Sequence, residues 1–312
     1  MHSTLILHHY PESPFAEKAR LMLGFKRLSW ASVHIPRVMP KPDLTALTGG
    51  YRKTPVLQVG ADIYCDSALI ARRLEAEKAT PTLFPEGREF VVAAFAAWAD
   101  AQVFQAAMAL SFQPEAMAAR LAHLPQAAAQ AFLADRAAMF KEGNAPRVSG
   151  GQARGAWPVW MARLERQLAR EAEAFLFGAP SVADFALAHP LWFLKGCPVT
   201  APLVGAYPRV SAWLERVLDF GHGTAQRLDA EQALAIAREA EPAPLPSEAF
   251  TDPDGYRAGQ RVSIGATDYG VDPVEGELLF AGAEELILRR EDARAGQVHV
   301  HFPRLGFRIQ AL

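Results

Sequence analysis

The chain has 312 residues, of which 50% are hydrophobic and 21% are charged, a composition typical of a globular protein with a large core. Its formal net charge of −2 argues against a nucleic-acid partner. Two distant cysteines exclude a disulfide framework, and we find neither a signal-peptide pattern nor an apolar run of the roughly 18 residues that span a membrane. We therefore expect a cytoplasmic protein of two or three domains without a membrane partner.

Strand and helix patterns alternate over residues 1–80. The order is β-α-β, an intervening segment and then β-β-α, over residues 4–9, 14–23, 28–35, 55–59, 63–65 and 67–77. Gly60-Ala61-Asp62, between the last two strands, is a hairpin signal. This order predicts a small α/β domain with one mixed sheet.

Residues 88–240 have helical patterns throughout. Phe90 to Leu110 is apolar around most of its circumference, as in a helix buried in a bundle. Further helices are predicted over residues 126–141, 159–174, 182–195, 210–219 and 225–239. Residues 144–157 are rich in Gly, Arg and Ser and predict a mobile surface loop.

A stiff proline-rich linker, residues 241–246, precedes a β pattern. Short strands are predicted over residues 261–266, 277–281, 285–290, 297–302 and 306–310. They predict a small β-barrel or β-sandwich module over residues 250–312. His299 and His301 face one side of a strand and could bind a metal, but without an evident third ligand we expect exposed strand histidines and no metal.

The segment from Tyr10 to Phe15 joins the first strand to the first helix. Pro14 begins the helix and Ser13 is the expected N-cap. A helix N-terminus carries unpaired N–H groups and a partial positive charge, which stabilise an anion or a thiolate. Ser13 is therefore either a thiolate-stabilising side chain or a structural cap.

Two further segments point to an amino-acid ligand. In Thr54-Pro55-Val56 a proline begins a strand, and a cis bond there would leave the Val56 backbone free to pair with a peptide. Asp66-Ser67 ends a strand and begins a helix. Asp66 can pair with an ammonium group, and Ser67 can present its hydroxyl and N–H to a carboxylate, which suits a zwitterionic head group.

In this order and at these separations, the three motifs resemble those of the cytosolic glutathione transferases, in their bacterial serine-type form. Ser181-Val-Ala-Asp184 resembles the capping box of that family's helical domain, and the resemblance covers roughly residues 4–220. It implies a thioredoxin-like glutathione-binding domain followed by an all-helical bundle, here with an added β module. It also implies glutathione as cosubstrate, no metal or nucleotide, and a homodimer.

The resemblance assigns roles to individual residues. Ser13 stands where the family keeps its active-site Ser or Cys, although some classes use a tyrosine near the end of the first strand, which leaves Tyr10 as the alternative. Thr54-Pro55 and Val56 would hold the cysteinyl part of glutathione. Asp66-Ser67 would hold its γ-glutamyl part.

Further positions have two interpretations each. Arg52 and Lys53 could meet the glycyl carboxylate or form a solvated basic loop, and Asp100 could face the cleft or the solvent. Cys65 is expected to be a small buried hydrophobe rather than a redox group. The aromatic and Met positions expected to line an apolar acceptor pocket are Phe15, Phe104, Met108 and Phe112.

The sequence thus predicts a detoxifying glutathione S-transferase that activates the glutathione thiol for attack on a small apolar electrophile. A non-catalytic binding or regulatory protein on the same fold is one alternative. A glutathione-dependent peroxidase or lyase is another.

Overall fold

A computed structural model describes residues 4–169 and 174–312. The first domain has the element order expected from the sequence. Its elements are β1 (Leu5–His9), α1 (Pro14–Phe25), β2 (Ser29–His34), α2 (Pro42–Thr48), β3 (Val56–Val59), β4 (Asp62–Cys65) and α3 (Ser67–Glu77). β1 pairs in parallel with β2 and antiparallel with β3, so the mixed thioredoxin-like sheet is confirmed.

A helical domain follows. Its helices are α4 (Glu89–Trp98), α5 (Phe104–Ser111), α6 (Pro114–Leu121), α7 (Gln126–Met139), α8 (Gly150–Gln167), α9 (Val182–Lys195), α10 (Pro202–Gly205) and α11 (Pro208–Leu218). A π-helical turn, Ala99–Val103, joins α4 to α5. Within the described ranges, one continuous helical run, Glu89–Ser111, is long and apolar enough to cross a membrane, a test that the core helix of a globular domain also passes. Here the run packs against α8 and α9.

The predicted mobile loop over residues 144–157 is wrong in its second half. Helix α8 begins at Gly150, where the Ser149 side chain accepts from the backbone N–H of Gln152 and the Gln152 side chain accepts from that of Ser149. This capping box and the burial of Trp157 outweigh the low helix propensity of the local glycines. The helix predicted over residues 159–174 ends at Gln167, and residues 170–173 lie outside the described residues.

The helix predicted over residues 225–239 is also shorter than expected. Thr224–Arg227 forms strand β5, which pairs in parallel with β2, and α12 follows over Ala230–Glu239. Backbone pairing along the free edge of β2 therefore determines the strand conformation of β5, and no local sequence pattern predicted this strand.

The C-terminal strands do not close on themselves as a barrel or sandwich. They are β6 (Arg261–Ala266), β7 (Val274–Ala281), β8 (Glu285–Asp292), β9 (Gly296–Pro303) and β10 (Phe307–Ala311). Strand β9 pairs in parallel with β4, which makes one ten-stranded sheet in the order β10-β6-β7-β8-β9-β4-β3-β1-β2-β5. The module therefore extends the sheet of the first domain and covers an edge that would otherwise be exposed.

His299 and His301 are buried rather than exposed, because β9 is an interior strand of this sheet. Their side chains share one face with Asp62 of β4, which provides the third group that the sequence pattern did not reveal.

Candidate functional site

A cavity of about 510 Å³ lies between the first domain and the helical domain. Eleven of the twelve predicted glutathione-site and pocket residues line it. They are Tyr10, Ser13, Phe15, Lys53, Thr54, Pro55, Asp66, Ser67, Phe104, Met108 and Phe112. The exception among all the predicted positions is Val56. Val56 is in register with His8 of β1 and with Cys65 of β4, and its pairing with a ligand stays a prediction.

Ser13 caps helix α1 at the floor of the cavity. It is 3% exposed, and its Oγ accepts a hydrogen bond from the backbone N–H of Ala16 at 3.2 Å. The backbone N–H of Ser13 donates to the carbonyl of Tyr10 at 3.2 Å, which fixes the turn between β1 and α1. Because the hydroxyl oxygen is the acceptor in the cap, the hydroxyl proton remains available to an anion in the cavity.

Lys41 also lines the cavity, and sequence reasoning missed it. Its ammonium donates to Thr54 Oγ1 at 3.1 Å and lies 5.9 Å from the ring centre of Tyr10. Burial, assisted by the charge of Arg136, lowers the pKa of Lys41 to about 8. No signal in the sequence identified this residue, since it lies at the start of α2 and reaches the cavity only through the fold.

The peptide bond between Thr54 and Pro55 is cis, one of the conformations that the sequence left open for this proline. Thr54 and Pro55 both line the cavity, whereas Val56 does not.

Asp66 and Ser67 are held at the N-terminus of α3. Asp66 has a φ of 79°, a backbone conformation unusual for a residue other than glycine, and its Oδ1 accepts from the N–H of Ala68 at 2.8 Å. Such a conformation persists where the surroundings impose it, often at a ligand site. Burial of the carboxyl raises the pKa of Asp66 above its ordinary value, and a bound ammonium group would reverse that. Cys65, beside this pair, is fully buried, which raises its thiol pKa and suits a structural role.

A buried network of polar side chains holds the Ser67 side chain in position. The ammonium of Lys18 donates to Ser67 Oγ at 3.2 Å and to Asp100 Oδ2 at 2.5 Å, and His189 Nε2 lies 3.0 Å from Asp100 Oδ1. Burial alone would raise the pKa of Asp100, but the charge of Lys18 and the bond to His189 outweigh it and lower the pKa. Asp100 lines the cavity, which decides between its two interpretations in favour of the cleft, and its contacts with Lys18 and His189 stabilise its charged form.

The loop between β6 and β7 covers one side of the cavity. Lys53 Nζ donates to Asp268 Oδ1 at 2.5 Å and lies 4.4 Å from the ring centre of Tyr269. The backbone N–H of Gly270 donates to the carbonyl of Met139 at 2.8 Å, which ties the loop to α7. The β module thus contributes directly to the site, although Asp268 and Tyr269 carry no pattern that distinguishes them from an ordinary turn.

The basic residues before Thr54 are not a solvated loop. Arg52 lines the cavity and donates to the carbonyl and to Oδ1 of Asp135 at 2.9 and 3.0 Å, so its charge is paired with a carboxylate of α7. Lys53 remains on the cavity wall.

The other wall is apolar and aromatic. Phe15 lies 4.7 Å from Phe104 between ring centres, and Phe104 stacks at 6.3 Å on Tyr269. Met108 and Phe112 extend this wall along α5. The polar floor of the cavity around Ser13 and Ser67 therefore adjoins an apolar chamber lined by Phe15, Phe104, Met108, Phe112 and Tyr269. This arrangement suits two different substrates side by side.

Comparison with known proteins agrees with this geometry. The family model described as "Glutathione S-transferase, N-terminal domain" matches residues 7–82, and the one described as "Glutathione S-transferase, C-terminal domain" matches residues 161–216. No curated protein matches the sequence significantly.

Solved structures extend the comparison to the whole chain. A GST-like protein from Pseudomonas syringae is 58% identical, with 99% of this chain and 100% of that chain covered and a TM-score of 0.84. A glutathione S-transferase from Rhodospirillum rubrum is 19% identical, with coverage of 69% and 88% and a TM-score of 0.51. FzlA from C. crescentus is 20% identical, with coverage of 69% and 87% and the same TM-score. The last two share the fold, whereas the P. syringae protein also spans the β module.

Proposed function

The chain belongs to the glutathione S-transferase superfamily, and we propose that it binds glutathione in the cavity and activates the thiol at Ser13 for attack on a small apolar electrophile. The observation that carries this proposal is the position of Ser13. Its hydroxyl lies at the buried N-terminus of α1, on the cavity wall that Pro55 and Asp66 also line.

Ser13 would act on the ionisation of the thiol. Its hydroxyl donates to the thiolate sulfur while its oxygen remains bound to the N–H of Ala16. A hydrogen bond to the charged form lowers the pKa of the bound thiol, and the dipole of α1 acts in the same direction. The thiolate then attacks the electrophilic carbon, a carbon–sulfur bond forms, and the leaving group departs with its electron pair.

The rest of the peptide would be held by charge and backbone pairing. Asp66 would receive the γ-glutamyl ammonium, and Ser67 with the N-terminus of α3 would receive the neighbouring carboxylate. The Thr54 backbone would pair with the cysteinyl residue. Lys41 and Lys53, both on the cavity wall, would attract the glycyl carboxylate.

The apolar chamber would take the second substrate. Phe15, Phe104 and Tyr269 offer ring faces there, so a flat hydrophobic electrophile fits this wall best. Holding both reactants side by side contributes rate through proximity.

We also propose a cytoplasmic homodimer with a role in detoxification. An apolar strip on α4 is exposed in the single chain, where Phe90 is 87% exposed and Val91 42% exposed. Such a strip on the surface of a helical domain suits a subunit interface.

Two measurements test the proposal. Calorimetry should show one glutathione per chain at millimolar ligand or below, and a chloronitrobenzene should be conjugated with release of chloride. Absence of glutathione binding would reject the enzyme and leave the non-catalytic alternative. Binding without conjugation, but with reduction of an organic hydroperoxide, would select the peroxidase.

A further inference from the structure

Three potential metal-binding side chains meet where the first domain joins the β module. In the parallel pair of β4 and β9, Asp62 is in register with His299, and Tyr64 with His301. Side chains two residues apart on a strand share a face, so both imidazoles face the Asp62 carboxylate. All three residues are less than 10% exposed, and none of them lines the cavity.

The distances suit a small ion. His301 Nε2 lies 3.0 Å from Asp62 Oδ1 and His299 Nδ1 lies 3.8 Å from the same oxygen. One potential ligand atom from each of the three residues lies within 4.8 Å of the other two. Ligand atoms of a tetrahedral zinc site, with bonds of roughly 2.0–2.2 Å, stand about 3.3 Å apart. The two measured separations bracket that value.

A hydrogen-bond network alone does not satisfy this cluster. A protonated His301 can donate from Nδ1 to Glu285 Oε1 at 2.7 Å and from Nε2 to Asp62 Oδ1 at 3.0 Å, so hydrogen bonds satisfy this ring but not that of His299. His299 Nδ1 is buried and has no hydrogen-bond partner among the described residues. Protonation of His301 leaves His299 Nδ1 without a hydrogen-bond partner, whereas a metal ion would engage Asp62, His299 and His301 together.

Glu285 has the position of an outer partner of a metal ligand. Metal-bound histidines usually donate their second N–H to a carboxylate, which fixes the ring and increases its basicity. His301 is further fixed by stacking on Tyr64, with ring centres 4.3 Å apart. The nearby Arg289 is paired with Glu277, so its charge is already compensated.

We propose that Asp62, His299 and His301 bind one divalent transition-metal ion of the zinc type, which clamps β9 of the module to β4 of the first domain. Two imidazole nitrogens and one carboxylate oxygen form a donor set that zinc accepts readily. Three protein ligands leave one position for water. Because the site is buried and remote from the Ser13 cavity, the ion is structural and takes no part in thiol chemistry.

Metal analysis of the full-length chain, purified without a histidine tag and then stripped with chelator, tests the proposal directly. Titration with Zn²⁺ should show one tight equivalent per chain and raise the melting temperature. Co²⁺ should give the intense visible absorption of a four-coordinate site. Failure of the wild-type chain to bind one equivalent of either ion overturns the proposal.

Variants locate the ion. His299→Ala removes a ligand whose Nδ1 makes no hydrogen bond to any residue that the structure describes, and it should abolish binding of the one Zn²⁺ equivalent. Glu285→Gln should weaken Zn²⁺ binding by about 10- to 100-fold. His34→Ala, which removes an exposed imidazole of the first domain, is the matched control and should bind as the wild type does. Unchanged binding in a folded His299→Ala variant would place the ion elsewhere and reject the site. If that variant does not fold, unchanged affinity in Glu285→Gln rejects it equally.

Discussion

Ser13 and Tyr10 both line the cavity, and substitution separates their roles. A hydrogen bond to a charged acceptor contributes about 1.5–3 kcal/mol, so Ser13→Ala should raise the pKa of the bound thiol by about 1–2 units. Turnover near neutral pH should therefore fall about 10- to 100-fold with little change in glutathione affinity. The thiolate absorbance of the complex, measured against pH, reports the shift.

The Ser13 substitution also removes a helix cap, which alone costs about 0.5–2 kcal/mol of stability. Ser149→Ala, at the N-cap of α8 and outside the cavity, is the matched control and should keep full turnover. If Ser13→Ala retains turnover while Tyr10→Phe loses it, thiol activation belongs to Tyr10.

We expect Lys41 to make ligand binding depend on pH. Its pKa of about 8 means that the side chain is a cation below this pH and neutral above it. Only the cation attracts a carboxylate, so affinity for S-methylglutathione, which has no titrating thiol, should weaken roughly tenfold as pH rises through this value. Lys41→Met should bind weakly at neutral pH and lose little more on alkalinisation. The same steep pH dependence in Lys41→Met would exclude Lys41 as its origin.

The residues that could be predicted from the sequence are those that cap a helix or begin a strand or a helix. Ser13 is a helix cap, Pro55 begins a strand, and Asp66 with Ser67 begins a helix, so short motifs reveal them. Lys18 and His189 reach Asp100 from distant positions in the chain, and nothing local marks such a contact.

At the scale of elements, the loop between β6 and β7 links the β module to substrate choice. Tyr269 is 7% exposed, and its ring packs between those of Phe104 and Phe140 at the apolar chamber. Tyr269→Ala should enlarge the chamber and shift kcat/KM by about tenfold in favour of bulky electrophiles over small ones, since a pocket discriminates by the groups that fill it. Paired assays with a small and a bulky aromatic electrophile measure that ratio.

Tyr256, in the same module but outside the cavity, provides the comparison for this loop. Tyr256→Ala removes a similar ring that packs partly on the core of the module, and it should leave the ratio unchanged. An equal shift in both variants would mean that general loosening of the module, rather than Tyr269, sets the chamber size.

The element boundaries show why sequence patterns succeed and fail. Helix α9 begins and ends as predicted, because a capping box at Ser181 and apolar periodicity coincide there. Strand β5 pairs with β2, which is remote in sequence, so the local pattern predicted plain helix there. The π-helical turn Ala99–Val103 lies within a segment whose pattern also predicted plain helix.

At the scale of the whole molecule, the β module and the first domain share one core. A single buried cluster includes Val56 and Ile63 of the first domain together with Leu288 and Val300 of the module. The sequence predicted the module strands but not their partner. Strand pairing between β4 and β9 joins segments more than 230 residues apart, by the register of Asp62 with His299, and no periodicity encodes that.

Because of this shared core, we expect the module and the rest of the chain to unfold cooperatively. All six tryptophans lie before residue 214, so their fluorescence reports only the regions outside the module. Leu288→Ala, at a fully buried position of β8, should cost about 2–5 kcal/mol. If the chain unfolds as one unit, the tryptophan transition in urea should move to lower denaturant by that full amount, whereas Leu305→Ala, at a position 84% exposed, should not move it. A tryptophan transition unaffected by Leu288→Ala would show that the module unfolds independently, and the continuous sheet would then carry no energetic coupling between the two.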